Sequence, residues 1–135
     1  MKCLICAAAL VAITVSVALT SSSAQETQAN ANMYHLADVG WLEREVYRSA
    51  PDSKVPVELI DVLVGAGLVV LVPKMPTGAL LDVKAGAAIV IVDKKQEHSA
   101  PGVVIRIDQG QMLSIDNRKG EGAFVARLIR IGSPR

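Results

Sequence analysis

Two histidines, His35 and His98, supply the groups that titrate near neutral pH. His98 lies in the polar segment Asp93–Pro101 (DKKQEHSAP), where Asp93, Glu97, His98 and Ser99 crowd together and suggest a hydrolytic triad. Chain geometry argues against one. Neighbouring residues such as His98 and Ser99 point apart in most loop conformations, and a triad is defined by how its groups face each other, not by their presence in one loop. The composition suits a solvated hairpin tip, in which Lys94, Lys95, Glu97 and His98 form a binding loop. His35 adjoins an apolar run and reads as a packing residue. No catalytic residue is assigned on this basis. The competing expectation is a small periplasmic hydrolase in which His98 works with Asp93, Glu97 or Asp116.

Other chemistry finds less support. There is no His-Glu-x-x-His pattern, and Asp116-Asn117-Arg118-Lys119-Gly120 places cations where a calcium loop needs oxygen donors, so no metal site is expected. Gly65-Ala66-Gly67 precedes a strand-like run and lacks the lysine and spacing of a phosphate loop, so no nucleotide cofactor is expected. Nucleic-acid binding needs a basic field. Arg127 and Arg130 fall on opposite faces of any strand that contains both, which dissolves the one apparent basic stripe.

The elements that would position these groups begin after an address segment. Lys2 precedes Leu4–Leu19, an apolar run broken only by Thr14 and Ser16, and Ser22 and Ala24 provide the small residues of a cleavage site. This pattern predicts a signal peptide over residues 1–24, cut before Gln25, and a polar lead-in over 25–32. Sixteen residues at ~1.5 Å each reach about 24 Å, short of the ~30 Å of a bilayer core, so no stable span is expected after cleavage. The segment carries both cysteines and Lys2. Without it, the 14 basic residues lose one and balance the 13 acidic ones, and part of the 51% hydrophobic content disappears. A disulfide scaffold and a cysteine nucleophile are thereby excluded from the mature chain.

Residues 33–135 form a single domain at this length. Leu36, Val39, Leu42 and Val46 recur at helical spacing, so an amphipathic helix is predicted over Asp38–Arg48, with Glu45 and Arg48 as a surface pair. Val57–Val64 fits helix or strand. Leu68–Val72, Ala88–Val92, Val103–Ile107, Gln111–Ile115 and Ala123–Ile131 are strand-like runs between turn residues, and Leu80–Val83 is a weaker one. Asp108-Gln109-Gly110 suits a three-residue turn that would pair Ile105 with Leu113 in a hairpin. The fold class that follows is mostly β, a small antiparallel sandwich or barrel of five to seven short strands with one N-terminal helix. The functional expectation is an exported, non-enzymatic envelope module, periplasmic or extracellular. It would engage a protein partner through the 93–101 loop or through a free strand edge at Phe124–Ile131.

Overall fold

A computed structural model describes residues 33–132. The predicted signal peptide, its cleavage point and the lead-in lie outside the described residues. Among the described residues ten strands account for the regular structure: β1 (His35–Leu36), β2 (Leu42–Arg48), β3 (Val57–Val64), β4 (Val69–Val72), β5 (Gly78–Ala85), β6 (Ile89–Val92), β7 (Lys95–Glu97), β8 (Val104–Ile107), β9 (Leu113–Asp116) and β10 (Phe124–Ile131). They form two antiparallel sheets, a six-stranded one in the order β1-β2-β3-β10-β5-β8 and a four-stranded one in the order β4-β9-β6-β7. Alternation explains the layering. Ile60, Val62 and Val64 of β3, Leu81 and Val83 of β5, and Phe124, Ala126 and Leu128 of β10 point inward. They meet Val70, Val90, Leu113 and Ile115 of the second sheet in one aliphatic core.

The predicted helix over Asp38–Arg48 is absent. Residues 38–40 turn through Gly40, at φ +94°, and Leu42–Arg48 is β2, paired with β3 from Leu42↔Leu63 to Arg48↔Glu58 around a bulge between Glu45 and Tyr47. The residues that imitated a helical stripe are not a buried face: Leu36 is 71% exposed, whereas Trp41, off the stripe, is 2% exposed. Strand pairing outweighs local periodicity here because an edge of β3 is available to be satisfied. The Glu45–Arg48 pair does form, at 2.6 Å, across the bulged strand instead of a helical turn.

Two further expectations change. Ile105, Ile107, Leu113 and Ile115 are all buried, as their alternation requires. The hairpin proposed to join them does not form, because β8 pairs with β5 whereas β9 lies between β4 and β6 in the other sheet. The turn at Gly110, φ +86°, therefore arches from sheet to sheet. Phe124–Ile131 is likewise no edge. β10 is paired along its length with β3 on one side and β5 on the other. The ambiguous Val57–Val64 is a strand, and the weak run at Leu80–Val83 is the middle of an eight-residue strand.

Candidate functional site

Two sheets with open edges leave two seams. At one, β7 of the smaller sheet stands opposite β8 of the larger, and the gap is an open cleft of about 860 Å³. Its floor is hydrocarbon, from Val92, Val103 and Ile105, and its rim carries Lys94, Lys95, Glu97, His98, Arg106 and Asp108. All four residues of the predicted binding loop thus line one cleft. The tip of that loop is a two-residue turn, Asp93-Lys94, between Val92 and Lys95, which are register partners. Asp93 takes φ +55°, a conformation in which a short acidic side chain is tolerated. Its carboxylate accepts hydrogen bonds from the Met112 backbone N–H at 2.8 Å and the Gln111 amide at 3.1 Å. These bonds tie the turn to the start of β9 and so hold Lys94 at the rim.

The charges in the cleft are unevenly committed. Lys95 pairs with Glu97 at 2.9 Å and Arg106 with Asp108 at 2.8 Å. Lys94 and His98 make no hydrogen bond or ion pair among the described residues. The backbone of β8 adds polar groups. The Val83 N–H donates to the Val103 carbonyl, and the register pairs Leu81 with Ile105. Antiparallel alternation then directs the N–H and C=O of Val104 and Arg106 away from β5, toward the open edge.

The hydrolytic arrangement is not assembled. His98 has no carboxylate within ion-pair distance among the described residues, and the Ser99 hydroxyl donates to the Ala88 carbonyl at 2.5 Å, which holds a loop rather than a nucleophile. Asp116 is taken up by Arg118, whose side chain and backbone N–H hydrogen-bond to it and lower its carboxyl pKa to about 2. His35, read as a packing residue, is mostly exposed and pairs with Glu43 at 3.2 Å.

Sequence reading missed the inward-facing charges at the second seam. Glu58 shares the parity of Ile60, Val62 and Val64 and is buried; it accepts from Arg48 at 2.6 Å and Arg130 at 3.2 Å. Arg127, one face over, bonds Asp61 instead, so the expected separation of Arg127 from Arg130 is realised. The available signal was parity: a carboxylate on the buried face of a strand is costly unless paired, and so points to a partner or a ligand.

No family model matches the chain, and no curated protein matches it. Solved structures do. A cupin 2 conserved barrel domain protein from Salinispora arenicola is 15% identical, with 72% of this chain and 79% of that one aligned at a TM-score of 0.58. KdgF from a Halomonas species is 14% identical, over 76% of this chain and 87% of that one, at 0.61. A cupin superfamily protein from Desulfitobacterium hafniense is 17% identical, over 72% and 82%, at 0.54. At such identities the likeness is one of fold, that of cupin-type barrels, and it decides between the sandwich and the barrel expected from sequence.

The likeness also overturns the reading of an exported, non-enzymatic envelope module. The domain shares the fold of the matched cupin-2 proteins, a fold usually found in enzymes, metal-binding proteins and regulators. A metal inside such a barrel would need imidazoles and carboxylates aimed at one point. The interior here presents Val70, Val72, Val90, Val92, Leu113 and Ile115, and among the described residues no group of three or more His, Cys, Asp or Glu is placed to hold an ion. The donor set does not fit a metal.

Proposed function

We propose that the chain is a cupin-fold binding domain for a small anionic molecule with an apolar body, held in the β7/β8 cleft without a metal. The observation that carries this reading is the layout of that cleft: a floor of Val92, Val103 and Ile105 beneath Lys94 and His98, two side chains with uncommitted nitrogen donors. A hydrocarbon body gains roughly 25 cal/mol for each Å² it removes from water, and a lysine at the rim supplies a charge-assisted hydrogen bond to an anionic end. Lys95 and Arg106 reinforce the positive side but are partly neutralised by Glu97 and Asp108. An apolar floor beneath convergent polar groups is a common form of small-molecule pocket.

Titration calorimetry with octanoate, and with octanamide as its uncharged analogue, tests the reading. Octanoate should bind saturably and octanamide about tenfold more weakly or worse, and Lys94→Glu should reduce octanoate affinity by about tenfold with unchanged thermal stability. Equal binding of the two probes, or an unaffected Lys94→Glu variant, would reject the cleft as an anion site.

A further inference from the structure

The other seam, where β1 and β2 approach β4, holds a separate open pocket of about 340 Å³ lined in part by His35, Asp38, Trp41, Glu43, Val72 and Arg130. We infer that it is a second ligand site, selective for a small zwitterion whose ammonium and carboxylate are several bonds apart.

The carboxylate end is assigned from Arg130. This side chain issues from the inner face of β10 and uses Nη1 to reach Glu58 at 3.2 Å. Glu58 is held more closely by Arg48, at 2.6 Å, so Arg130 is the weaker of its two partners. Nε of Arg130 is buried and has no acceptor among the described residues. The guanidinium edge formed by Nε and Nη2 is the one that receives a planar carboxylate side-on through two parallel bonds. A partly buried arginine whose Nε has no acceptor is short of the kind of partner such a ligand brings.

The ammonium end is assigned from Glu43. Its two carboxylate oxygens are oriented by the Trp41 indole N–H, at 2.8 Å, and by His35 Nε2, at 3.2 Å. His35 is exposed and can give way to an incoming cation, whereas Trp41 is buried and fixes the carboxylate from behind. Asp38 adds a second negative group on the same wall. The spacing follows from the sheet. Glu43 is level with Val62, and Val62 with Ala126, four residues before Arg130 on β10. That is about 13 Å along the strands and about 10 Å across them. The two side chains thus set opposite charges at separate points of one pocket, an arrangement that a zwitterion with its charges several bonds apart would bridge. Access depends on β1, which is tied by only two register pairs, His35↔Glu43 and Leu36↔Leu42.

Trp41 is the only tryptophan in the chain, so its indole N–H resonance reports on this pocket alone. Titration of the intact protein with δ-aminovalerate should shift that resonance saturably, and valerate and n-amylamine, each lacking one charge, should bind about tenfold more weakly. Arg130→Lys keeps the charge but not the fork and should weaken δ-aminovalerate by about tenfold. Glu43→Gln retains an acceptor for Trp41, removes the charge, and should make valerate as good a ligand as δ-aminovalerate; it also serves if Arg130→Lys fails to fold. The inference is overturned by an unresponsive Trp41 resonance, by n-amylamine binding as well as the zwitterion, or by a folded Arg130→Lys protein with undiminished affinity. None of these outcomes involves Lys94 or the β7/β8 cleft.

Discussion

Arg127 meets Asp61 side-on across the middle of the six-stranded sheet, Nε donating to Oδ1 at 2.7 Å, although 66 residues separate the two in sequence. Arg44 completes the arrangement from the neighbouring strand, its Nη2 donating to the other carboxylate oxygen at 2.7 Å. Register makes this possible, because Arg44, Asp61, Arg127 and Asp82 occupy one row across β2, β3, β10 and β5. Strands β2, β3 and β10 are therefore joined on their outer face by alternating charge, with Asp61 buried between two arginines about one-third exposed.

Asp61→Ala should leave those two guanidinium groups facing each other without their shared anion. Removing one member of a fully buried pair costs ~3–5 kcal/mol; with arginines about one-third exposed, about 2–3 kcal/mol is expected. Urea denaturation of the two proteins measures the difference. A loss below about 0.5 kcal/mol would mean that the row contributes no more than ordinary surface pairs.

Acid should act through the same carboxylate. Burial raises the Asp61 pKa, but hydrogen bonds from Arg127 and Arg44 outweigh it and bring the group below its ordinary value. A group depressed in the folded state contributes fully above its unfolded pKa of about 3.9 and loses that contribution as pH falls through the folded value. Asp116, lowered to about 2, acts in the same direction. The urea midpoint should therefore hold from neutrality to about pH 5 and fall below about pH 4, with a shallower acid limb in Asp61→Asn. A wild-type midpoint that stays level to about pH 3 would count against this account.

Asn117 is fully buried in the β9–β10 connection, and its side-chain amide donates to the carbonyls of Val64 and Gly122 at 3.0 and 2.9 Å. Its backbone also bonds Leu68 and receives the Gly67 and Gly120 N–H groups. Asn117→Ala strands two carbonyls and should cost about 2–4 kcal/mol. Asn117→Asp should be worse at neutral pH and partly recover in mild acid, as the buried carboxyl regains a proton to donate. Thermal melts at two pH values distinguish the substitutions.

Gly86 and Gly40 share a positive φ, +84° and +94°, but not their surroundings. A Cβ at Gly86 would lie 2.6 Å from the Ala123 carbonyl oxygen, whereas one at Gly40 meets nothing within 4 Å. Gly40→Ala should carry only the backbone cost of ~1–2 kcal/mol, and Gly86→Ala clearly more, because main chain must move. Equal melting temperatures for the two variants would contradict the difference.

Legibility from sequence followed the range of the interaction. Val104–Ile107 and Leu113–Asp116 were recognisable because alternation is written residue by residue, and the Gly110 turn because a left-handed backbone favours glycine. Their supposed pairing was not legible: a short turn between two strands suits a hairpin and a sheet-to-sheet arch alike. Leu42–Arg48 was misread because its apolar residues, placed by chance at helical spacing, are exposed on an outer strand. The polar character of Lys94–His98 is legible in sequence, but its pairing as β7 and the cleft beside it are not, because the other wall of that cleft is β8. Arg130 and Glu58 became related only through β10.

The sequence by itself determined the mostly β class, the inward faces of the strands and the polarity of the 93–101 loop. These depend on side-chain period and on the local conformational preferences of glycine, proline and branched residues. Tertiary structure alone decided that β10 is central, that β8 and β9 belong to different sheets, and that Lys94 and His98 overlook an apolar floor. Each of those outcomes satisfies backbone groups or charges far apart in the chain. Which distant strand satisfies them is a matter of global packing that no local pattern encodes.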